Sequence, residues 1–240
     1  MPFKRKERAF EIIAAFKMLD HAPKKVLDMG FGDAEITRVL HNKGYDIKGL
    51  GVSKEQSEKA LAKYPDMVFE TYDGLHIPFD DNTFDTVILN DVVEHIPYSQ
   101  IEILIEEIKR VVEPGGIIYA SVTNRYEIIE PHTFIPFLTW LPRIFWKSID
   151  RRLNKRGSYP ITAVYPYTFK RLKRFCKRHD LKYHDLTTIY TSHKFMDVNY
   201  IGSRWLRSIV KLLKRLKLLK LFYYAAYQLS VIIFVLRIPE

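Results

Sequence analysis

The chain has 240 residues, 47% of them hydrophobic and 28% charged, which is enough apolar material for a full core and excludes disordered and fibrous classes. Its single cysteine, Cys176, excludes an internal disulfide and a cysteine metal site. Residues 1–140 hold 16 Lys/Arg against 23 Asp/Glu and residues 141–240 hold 22 against 5, so the two parts are expected to face different partners.

The first crossover of the chain, residues 26–40, combines a short strand, a tight turn and a helix. Asp28 stands at the end of the strand, and Gly30 and Gly32 let the backbone turn sharply and come close to a ligand. A side chain at Gly30 is expected to occupy that ligand's space. Glu35 replaces the third small residue of a dinucleotide fingerprint. Because its negative charge would repel phosphate, a cofactor without phosphates and with a positive sulfonium is favoured.

Strands and helices alternate through the rest of the chain, which predicts an α/β sheet with its ligand at the carboxyl ends of the strands. Apolar runs bounded by turn residues are interpreted as strands, and apolar stripes at helical spacing as helices. We predict further strands at residues 44–50, 67–70, 117–122, 181–187 and 231–236, a fourth strand that ends at Leu89, and helices at residues 1–19, 53–63, 98–112 and 167–179.

Several motifs follow the glycine turn in one order as far as residue 122. They are Asp73-Gly74 after the third strand, Ile-Pro-Phe at residues 77–79, Phe-Asp-x-Val at residues 84–87, Glu94-His95, and Pro-Gly-Gly at residues 114–116. This arrangement resembles the class I S-adenosylmethionine-dependent methyltransferases, of the type 11-like group. The resemblance implies a Rossmann-like seven-stranded sheet with helices on both faces and an antiparallel last strand. It also implies one methyltransferase domain over residues 1–240, with S-adenosyl-L-methionine as its cofactor.

The resemblance also implies a set of cofactor-binding residues, among which the Asp73 carboxylate accepts a hydrogen bond from the adenine amino group. Gly51 stands where most of the family has an acid that binds the ribose hydroxyls. Ser53 and Gln56 match the Ser-x-x-Gln version of the cyclopropane-fatty-acid synthase branch, which also lacks that acid. The full set is Asp28, Gly30, Gly32, Ser53, Gln56, Asp73, Gly74 and Asn90, and no metal ligand set is expected.

Two histidines could serve as the base for a hydroxyl acceptor, because a neutral imidazole accepts protons near physiological pH. His95 matches the Glu-His pair that the family commonly has after its fourth strand, so we expect it to position the loop. His132 lies in the variable region after the fifth strand, where substrate-specific groups occur. We therefore hypothesise that His132 is the catalytic base.

Two insertions distinguish the chain from a minimal domain of this kind. Residues 124–165 are aromatic and broken by prolines, which favours a lid or substrate insertion over a membrane span. This region is similar, more weakly than the core, to bacterial methyltransferases of surface-polysaccharide or lipid-linked intermediates. Residues 203–224 have a basic face and an apolar face, which indicates a helical insertion on an anionic membrane surface. A helix docked on the sheet, with solvated lysines, is the alternative.

The expected function is O-methylation of a glycan or lipid-linked acceptor at the cytoplasmic face of the cell membrane, with the protein cytoplasmic or peripheral there. A quinone or other isoprenoid-lipid acceptor is an alternative. An RNA acceptor is less favoured, because the sequence after the fourth strand, residues 90–93, lacks the Asn/Asp-Pro-Pro-aromatic motif of base methylation. A non-catalytic, cofactor-binding membrane scaffold also stays open, because Gly51 replaces the acid.

Overall fold

The computed structural model describes residues 2–128, 130, 133, 135–153, 160–187, 215, 228 and 231–240. Helices and strands alternate through most of this part of the chain. In order they are α1 (Pro2–Met18), β1 (Lys25–Met29), α2 (Glu35–Asn42), β2 (Asp46–Gly51), α3 (Lys54–Lys63), β3 (Val68–Thr71), β4 (Phe84–Asn90), α4 (Ile101–Val111), β5 (Val112–Val122), α5 (Trp146–Leu153), α6 (Phe169–Arg178), β6 (Lys182–Asp185) and β7 (Ile232–Arg237).

The strands form one seven-stranded sheet in the order β3-β2-β1-β4-β5-β7-β6. Strands β1 to β5 pair in parallel, whereas β7 is antiparallel to both β5 and β6. In the central strand β1, Val26, Leu27 and Met29 are all fully buried, as expected for a parallel strand covered on both faces. The predicted Rossmann-like sheet with an antiparallel last strand is therefore confirmed.

Helices cover the two faces of the sheet and bury an apolar stripe against each. Helix α4 packs Leu104, Ile105 and Ile108 into the core on one face, and α1 packs Ile12 and Phe16 into the core on the other. Burying one such aliphatic side chain contributes roughly 1.5–3 kcal/mol, so these stripes hold the helices in place. The result is a rigid frame for the loops at the carboxyl ends of the strands.

The Pro-Gly-Gly segment is the place where the structure departs from the predicted elements. We expected residues 114–116 to separate a helix from a strand that starts at residue 117, but β5 begins at Val112, directly after α4. The pairing of β4 with β5 is irregular here, between Phe84 and Thr86. A Cβ at Gly116 would lie 2.5 Å from Val112 Cγ1, so glycine lets the irregular strand lie flat on its neighbours.

The predicted lid insertion, residues 124–165, has a small apolar core, formed by Leu138, Trp146, Ile161 and Val164. The Asp150 carboxylate accepts hydrogen bonds from the backbone N–H groups of Ile161 (2.6 Å) and Thr162 (2.9 Å), which ties α5 to the end of the lid. The basic insertion at residues 203–224 lies outside the described residues except for Arg215. Within the described part of the chain, no helix has the length and apolar character needed to cross a membrane.

Candidate active site

The glycine turn after β1 has a left-handed backbone at both glycines, with φ of +74° at Gly30 and +60° at Gly32. The N–H of Gly30 donates to the carbonyl oxygen of Leu50 at 2.7 Å, so the turn is tied to β2. A Cβ at Gly30 would lie 2.5 Å from Val92 Cγ2. A side chain at Gly30 would thus meet the loop after β4, which packs on the turn. The expectation that it would occupy the cofactor's space stays a prediction.

Asp28 lies under this turn and is only 2% exposed. Its carboxylate accepts a hydrogen bond from Thr37 Oγ1 at 2.7 Å, which connects the end of β1 to α2. Burial raises the pKa of Asp28 to about 6, in spite of that hydrogen bond. The carboxyl group therefore supports the turn from inside, and its role as a cofactor ligand stays a prediction.

Position 51, at the end of β2, holds a glycine in place of the family's ribose-binding acid because the Phe31 side chain takes the space. A Cβ there would lie 3.0 Å from Phe31 Cε1, and a Cβ at Gly49 would lie 2.5 Å from Phe69 Cδ1 and 2.9 Å from Phe31 Cδ1. The Phe31 and Phe69 rings pack together with their centroids 4.9 Å apart. Glycines at alternate positions of β2 thus make room for the ring between the two glycines of the turn.

The two residues carried over from the Ser-x-x-Gln pattern have a local structural role at the start of α3. Ser53 is the N-cap, and its hydroxyl accepts a hydrogen bond from the backbone N–H of Gln56 at 3.3 Å. The side chain of Gln56 is exposed at the same edge. Cofactor binding by either residue stays a prediction.

Asp73 lies exposed after β3 and is held by its own turn. Its Oδ1 accepts hydrogen bonds from the backbone N–H groups of Leu75 (2.8 Å) and His76 (2.7 Å), while Oδ2 is 2.7 Å from His76 Nδ1. The hydrogen bond with His76 lowers the pKa of Asp73 and raises the pKa of His76. The carboxylate is thus charged and can accept, and Gly74 continues the turn with φ of +93°.

Asn90, the last residue of β4, belongs to a polar network between the ends of β4 and β5. Ser121 Oγ lies 3.2 Å from Asn90 Oδ1 and 2.6 Å from Asp91 Oδ1, and it accepts the backbone N–H of Asp91 at 2.9 Å. Asp91 has a left-handed backbone, with φ of +55°, which is unusual for a residue other than glycine. The network fixes the point where the chain leaves the sheet.

Taken together, these groups fit S-adenosyl-L-methionine better than a phosphate-bearing cofactor. The turn residues Gly30 and Gly32 are exposed, and so are three carboxylates at this edge, those of Asp33, Asp73 and Asp91. Arg5 of α1 forms an ion pair with Asp33. Negative groups around an open backbone turn suit a cationic sulfonium and would repel a pyrophosphate.

Comparison with known proteins gives the same answer. A sequence profile described as "Methyltransferase domain" matches residues 27–120, which hold the glycine turn, Asp73 and Asn90. Residues 27–120 are thus similar to a methyltransferase domain, and the described sheet has the topology of class I methyltransferases. This match and the chemistry of the site both support S-adenosyl-L-methionine as the cofactor.

Curated relatives and a solved structure show how far the likeness extends. The chain is 28% identical over 142 residues to demethylmenaquinone methyltransferase of Streptomyces griseus, which is 59% of this chain and 58% of that protein. It is 24% identical over 199 residues to ubiquinone biosynthesis O-methyltransferase of Azoarcus, 75% of this chain and 77% of that protein. The fold is shared with phosphoethanolamine N-methyltransferase 2 of Haemonchus contortus, with a TM-score of 0.53 and 18% identity over 90% of this chain and 49% of that one.

The likeness to curated relatives is partial in length. Three of them, two demethylmenaquinone methyltransferases and a 2-methyl-6-phytyl-1,4-hydroquinone methyltransferase, are matched over 41 to 58% of their own length. The chain thus spans about half of these relatives. Because a fold hosts many functions, the reaction and the acceptor must be argued from the site.

At the carboxyl ends of β4 and β5, Glu94 joins the loops that follow the two strands. It is 1% exposed, and its Oε1 accepts hydrogen bonds from the Thr123 hydroxyl (2.9 Å) and backbone N–H (3.3 Å). His95 is half-buried, and its backbone N–H donates to the carbonyl oxygen of Val92. His132 lies outside the described residues. The roles assigned to the two histidines stay predictions.

The sequence analysis missed four residues at this edge of the domain. Phe31 was overlooked, although two glycines at alternate positions of β2 indicate that a bulky neighbour lies against that strand. Arg125, Arg143 and Arg171 were counted only as positive charge, yet the structure brings them together around Tyr98 and its aromatic neighbours. Successive members of the three are 18 and 28 residues apart in the chain, so no local pattern connects them.

Proposed function

We propose that the chain transfers a methyl group from S-adenosyl-L-methionine to a lipid or lipid-linked acceptor, a glycan carrier among them, at a membrane surface. The observation that carries this proposal is the apolar face of the lid, beside the carboxyl ends of β4 and β5. Four large side chains of this face are strongly exposed: Phe137 at 51%, Trp140 at 45%, Ile144 at 79% and Phe145 at 55%. Contiguous exposed apolar surface is rare on soluble monomers and is typical of membrane or partner contacts.

The charge next to the apolar face favours an anionic lipid surface over an apolar protein partner. Lys147, Arg151 and Arg152 of α5 are exposed and follow the apolar residues directly in the chain. Aromatic and aliphatic side chains insert at the acyl boundary, while each nearby lysine or arginine contributes about 1 kcal/mol at an anionic surface. This arrangement would bring a lipid acceptor to the edge where the cofactor binds.

The chemistry needs alignment more than activation. S-adenosyl-L-methionine supplies a methyl group that is already activated by its sulfonium. The acceptor oxygen would attack the methyl carbon, the carbon–sulfur bond would break, and the acceptor proton would pass to a base. We assign that base to His132, with His95 positioning the loop after β4, and we assign cofactor contacts to the residues of the turn and of the ends of β2 to β4. Holding the two reactants in line provides most of the acceleration.

A quinone-type ring is the second candidate acceptor. It is favoured by the names of the relatives, which include demethylmenaquinone and ubiquinone biosynthesis methyltransferases. Both candidates are lipids, so the exposed lid face serves either. They differ in charge, since a quinol ring is neutral and a lipid-linked intermediate carries phosphate.

The test is methyl transfer from labelled cofactor to membrane lipid extracts, combined with vesicle flotation. Substituting Ile144→Asp and Phe145→Asp should abolish flotation with phosphatidylglycerol vesicles, because these side chains are exposed and their loss leaves the core intact. The control is Leu61→Asp, which places one such charge on a 46% exposed leucine of α3, and it is compared with each single lid substitution as well as with the pair. If the lid and control variants float equally well, the lid does not contact the membrane. If only soluble extracts are labelled, the acceptor is not a lipid.

The basic insertion at residues 203–224 is proposed as a second contact with the same surface. It holds Arg204, Arg207, Lys211, Lys214 and Arg215, and Asp197 is the one acid between Leu186 and Pro239. Reversing Lys211, Lys214 and Arg215 to glutamate should shift the protein to the soluble fraction without loss of cofactor binding. Unchanged flotation would leave the segment as a basic scaffold helix.

A further inference from the structure

Three arginines converge on one group of aromatic rings at the acceptor side of the domain. The Arg171 guanidinium lies 3.5 Å from the centroid of Tyr98, and that of Arg143 lies 4.5 Å from Tyr165 and 4.9 Å from Trp146. The Arg125 guanidinium lies 5.5 Å from the same Trp146 ring. Stacking on rings orients a guanidinium while leaving its edge open for hydrogen bonds. We call Arg125, Arg143 and Arg171 the arginine cluster.

The aromatic rings are held at the carboxyl ends of β4 and β5 by backbone hydrogen bonds. The N–H of Tyr165 donates to the carbonyl oxygen of Glu94 at 2.6 Å, and the N–H of Tyr167 donates to that of Thr123 at 2.9 Å. The Tyr98 hydroxyl donates to the carbonyl oxygen of Pro166 at 2.6 Å. The arginine cluster therefore lies at the same edge of the sheet as the cofactor site.

The cluster brings three positive charges together. Within the part of the chain that the structure describes, none of the three arginines forms an ion pair with a carboxylate. Burial lowers the pKa of Arg125, and the nearby charge of Arg143 lowers it further. Arg125 is half-buried while Arg143 and Arg171 are exposed, so the uncompensated positive charge is most costly at Arg125.

The cluster also has unused hydrogen-bond donors. Arg125 donates one side-chain hydrogen bond, to the carbonyl oxygen of Leu141, and Arg143 donates two, to those of Val164 and Thr162. Among the described residues, the guanidinium of Arg171 donates none. A guanidinium has five N–H groups in a planar fork that matches phosphate oxygens, so most of the donors remain.

From this geometry we infer that the arginine cluster binds a phosphate group of the methyl acceptor. The inference rests on the proposed function and narrows it, because a phosphate-bearing lipid-linked acceptor uses the cluster and a neutral quinol ring does not. The rival explanation is that the three arginines only stack on the rings and fasten the lid through backbone carbonyls. Arg171 separates the two explanations, since it makes no hydrogen bond to the described residues of the lid.

The experiment is a titration of the full chain with inorganic pyrophosphate, in which binding is measured by calorimetry and by tryptophan fluorescence. Two of the arginines stack on Trp146, so a ligand of the cluster should change the fluorescence. Arg171→Gln should weaken pyrophosphate binding by about ten- to hundredfold, the effect of losing charge-assisted hydrogen bonds. The matched control is Arg174→Gln, the same change at an exposed site one turn along α6. Equal weakening in both variants, or no binding to the unaltered protein, would overturn the inference.

Two further arms identify the source of the phosphate. Glucose 1-phosphate represents a soluble sugar phosphate, and farnesyl phosphate in phosphatidylcholine vesicles represents a lipid-linked one, with farnesol in the same vesicles as the uncharged match. Dependence on Arg171 in either arm supports the site and names its source. Dependence in neither arm overturns it.

Binding of S-adenosylhomocysteine is measured on the same variants. If the unaltered protein does not bind S-adenosylhomocysteine, the proposed function is contradicted. If cofactor binding is normal and methyl transfer is unchanged in the Arg171→Gln variant, only the phosphate site is contradicted.

Discussion

The two sides of the carboxyl edge of the sheet are built from different materials. The cofactor side consists of backbone turns, small residues and carboxylates, as at Gly30, Gly32 and Asp73. The acceptor side consists of large aromatic and arginine side chains carried by loops, as at Tyr98 and Arg143. A turn can be recognised from neighbouring residues in the sequence, whereas a cluster of long side chains depends on how distant loops meet. Changes on the two sides should accordingly separate cofactor binding from turnover.

The largest expected effect is on the acceptor side, at the proposed base. His132→Ala should lower turnover by about 10² to 10⁴, because a positioned proton acceptor contributes that much to a hydroxyl reaction. Cofactor affinity should not change. The matched control is His41→Ala, at the far end of α2. Near-normal turnover in the His132 variant would leave alignment of the reactants as the main catalytic device.

The next effect is on the cofactor side, in the glycine turn. Gly30→Ala should lower the free energy of unfolding by about 2–5 kcal/mol and weaken cofactor binding, because it combines a left-handed backbone with a collision against Val92. Gly44→Ala is the control, since Gly44 has φ of +90° but no atom within 4 Å of an added Cβ. Denaturant unfolding and calorimetry check both variants. If the Gly30→Ala variant folds and binds the cofactor with normal affinity, the turn is not part of the cofactor site.

Asp28 is expected to make stability depend on pH. Its folded pKa of about 6 lies above the ordinary aspartate value of 3.8, so the folded state holds the proton more tightly. This contribution is complete below the unfolded pKa and is lost as the pH rises through about 6, at a cost of about 3 kcal/mol by neutral pH. Asp28→Asn should therefore gain stability relative to the parent between about pH 4 and pH 7. If the free energies of unfolding of the variant and the parent differ by the same amount at about pH 4 and about pH 7, the raised pKa of Asp28 is contradicted.

The smallest effect concerns the acid that Gly51 replaces. Gly51→Asp should lower stability by about 1–3 kcal/mol, because its side chain would press on the Phe31 ring. In a Phe31→Ala background the same change should cost less, and it should tighten cofactor binding by offering a carboxylate to the ribose hydroxyls. A double-mutant cycle measures the coupling, expected at about 1 kcal/mol or more. Additive effects would mean that the ring does not exclude the acid.

Much of the fold was predictable because its signals are local. The apolar run of β1, the helices predicted at residues 53–63 and 167–179 and the apolar stripe of α4 are each decided by residues a few positions apart, and the structure confirms their bounds to within three residues. The Pro-Gly-Gly segment was misassigned because proline and glycine usually end an element. Here Val112 pairs with Phe84 and Ile117 pairs with Thr86, so the segment is an irregularity within β5 and does not end it.

By itself, the sequence determined the α/β fold, the glycine turn, the cofactor class and the uneven charge, because all of these depend on short-range patterns or on composition. Only the tertiary structure decided that Phe31 fills the space above Gly51 and that Val92 closes on Gly30. It alone brought Arg125, Arg143 and Arg171 onto one aromatic group. The physical reason is that these contacts join side chains far apart in the chain, and close packing between elements, which no local pattern records, sets their distances.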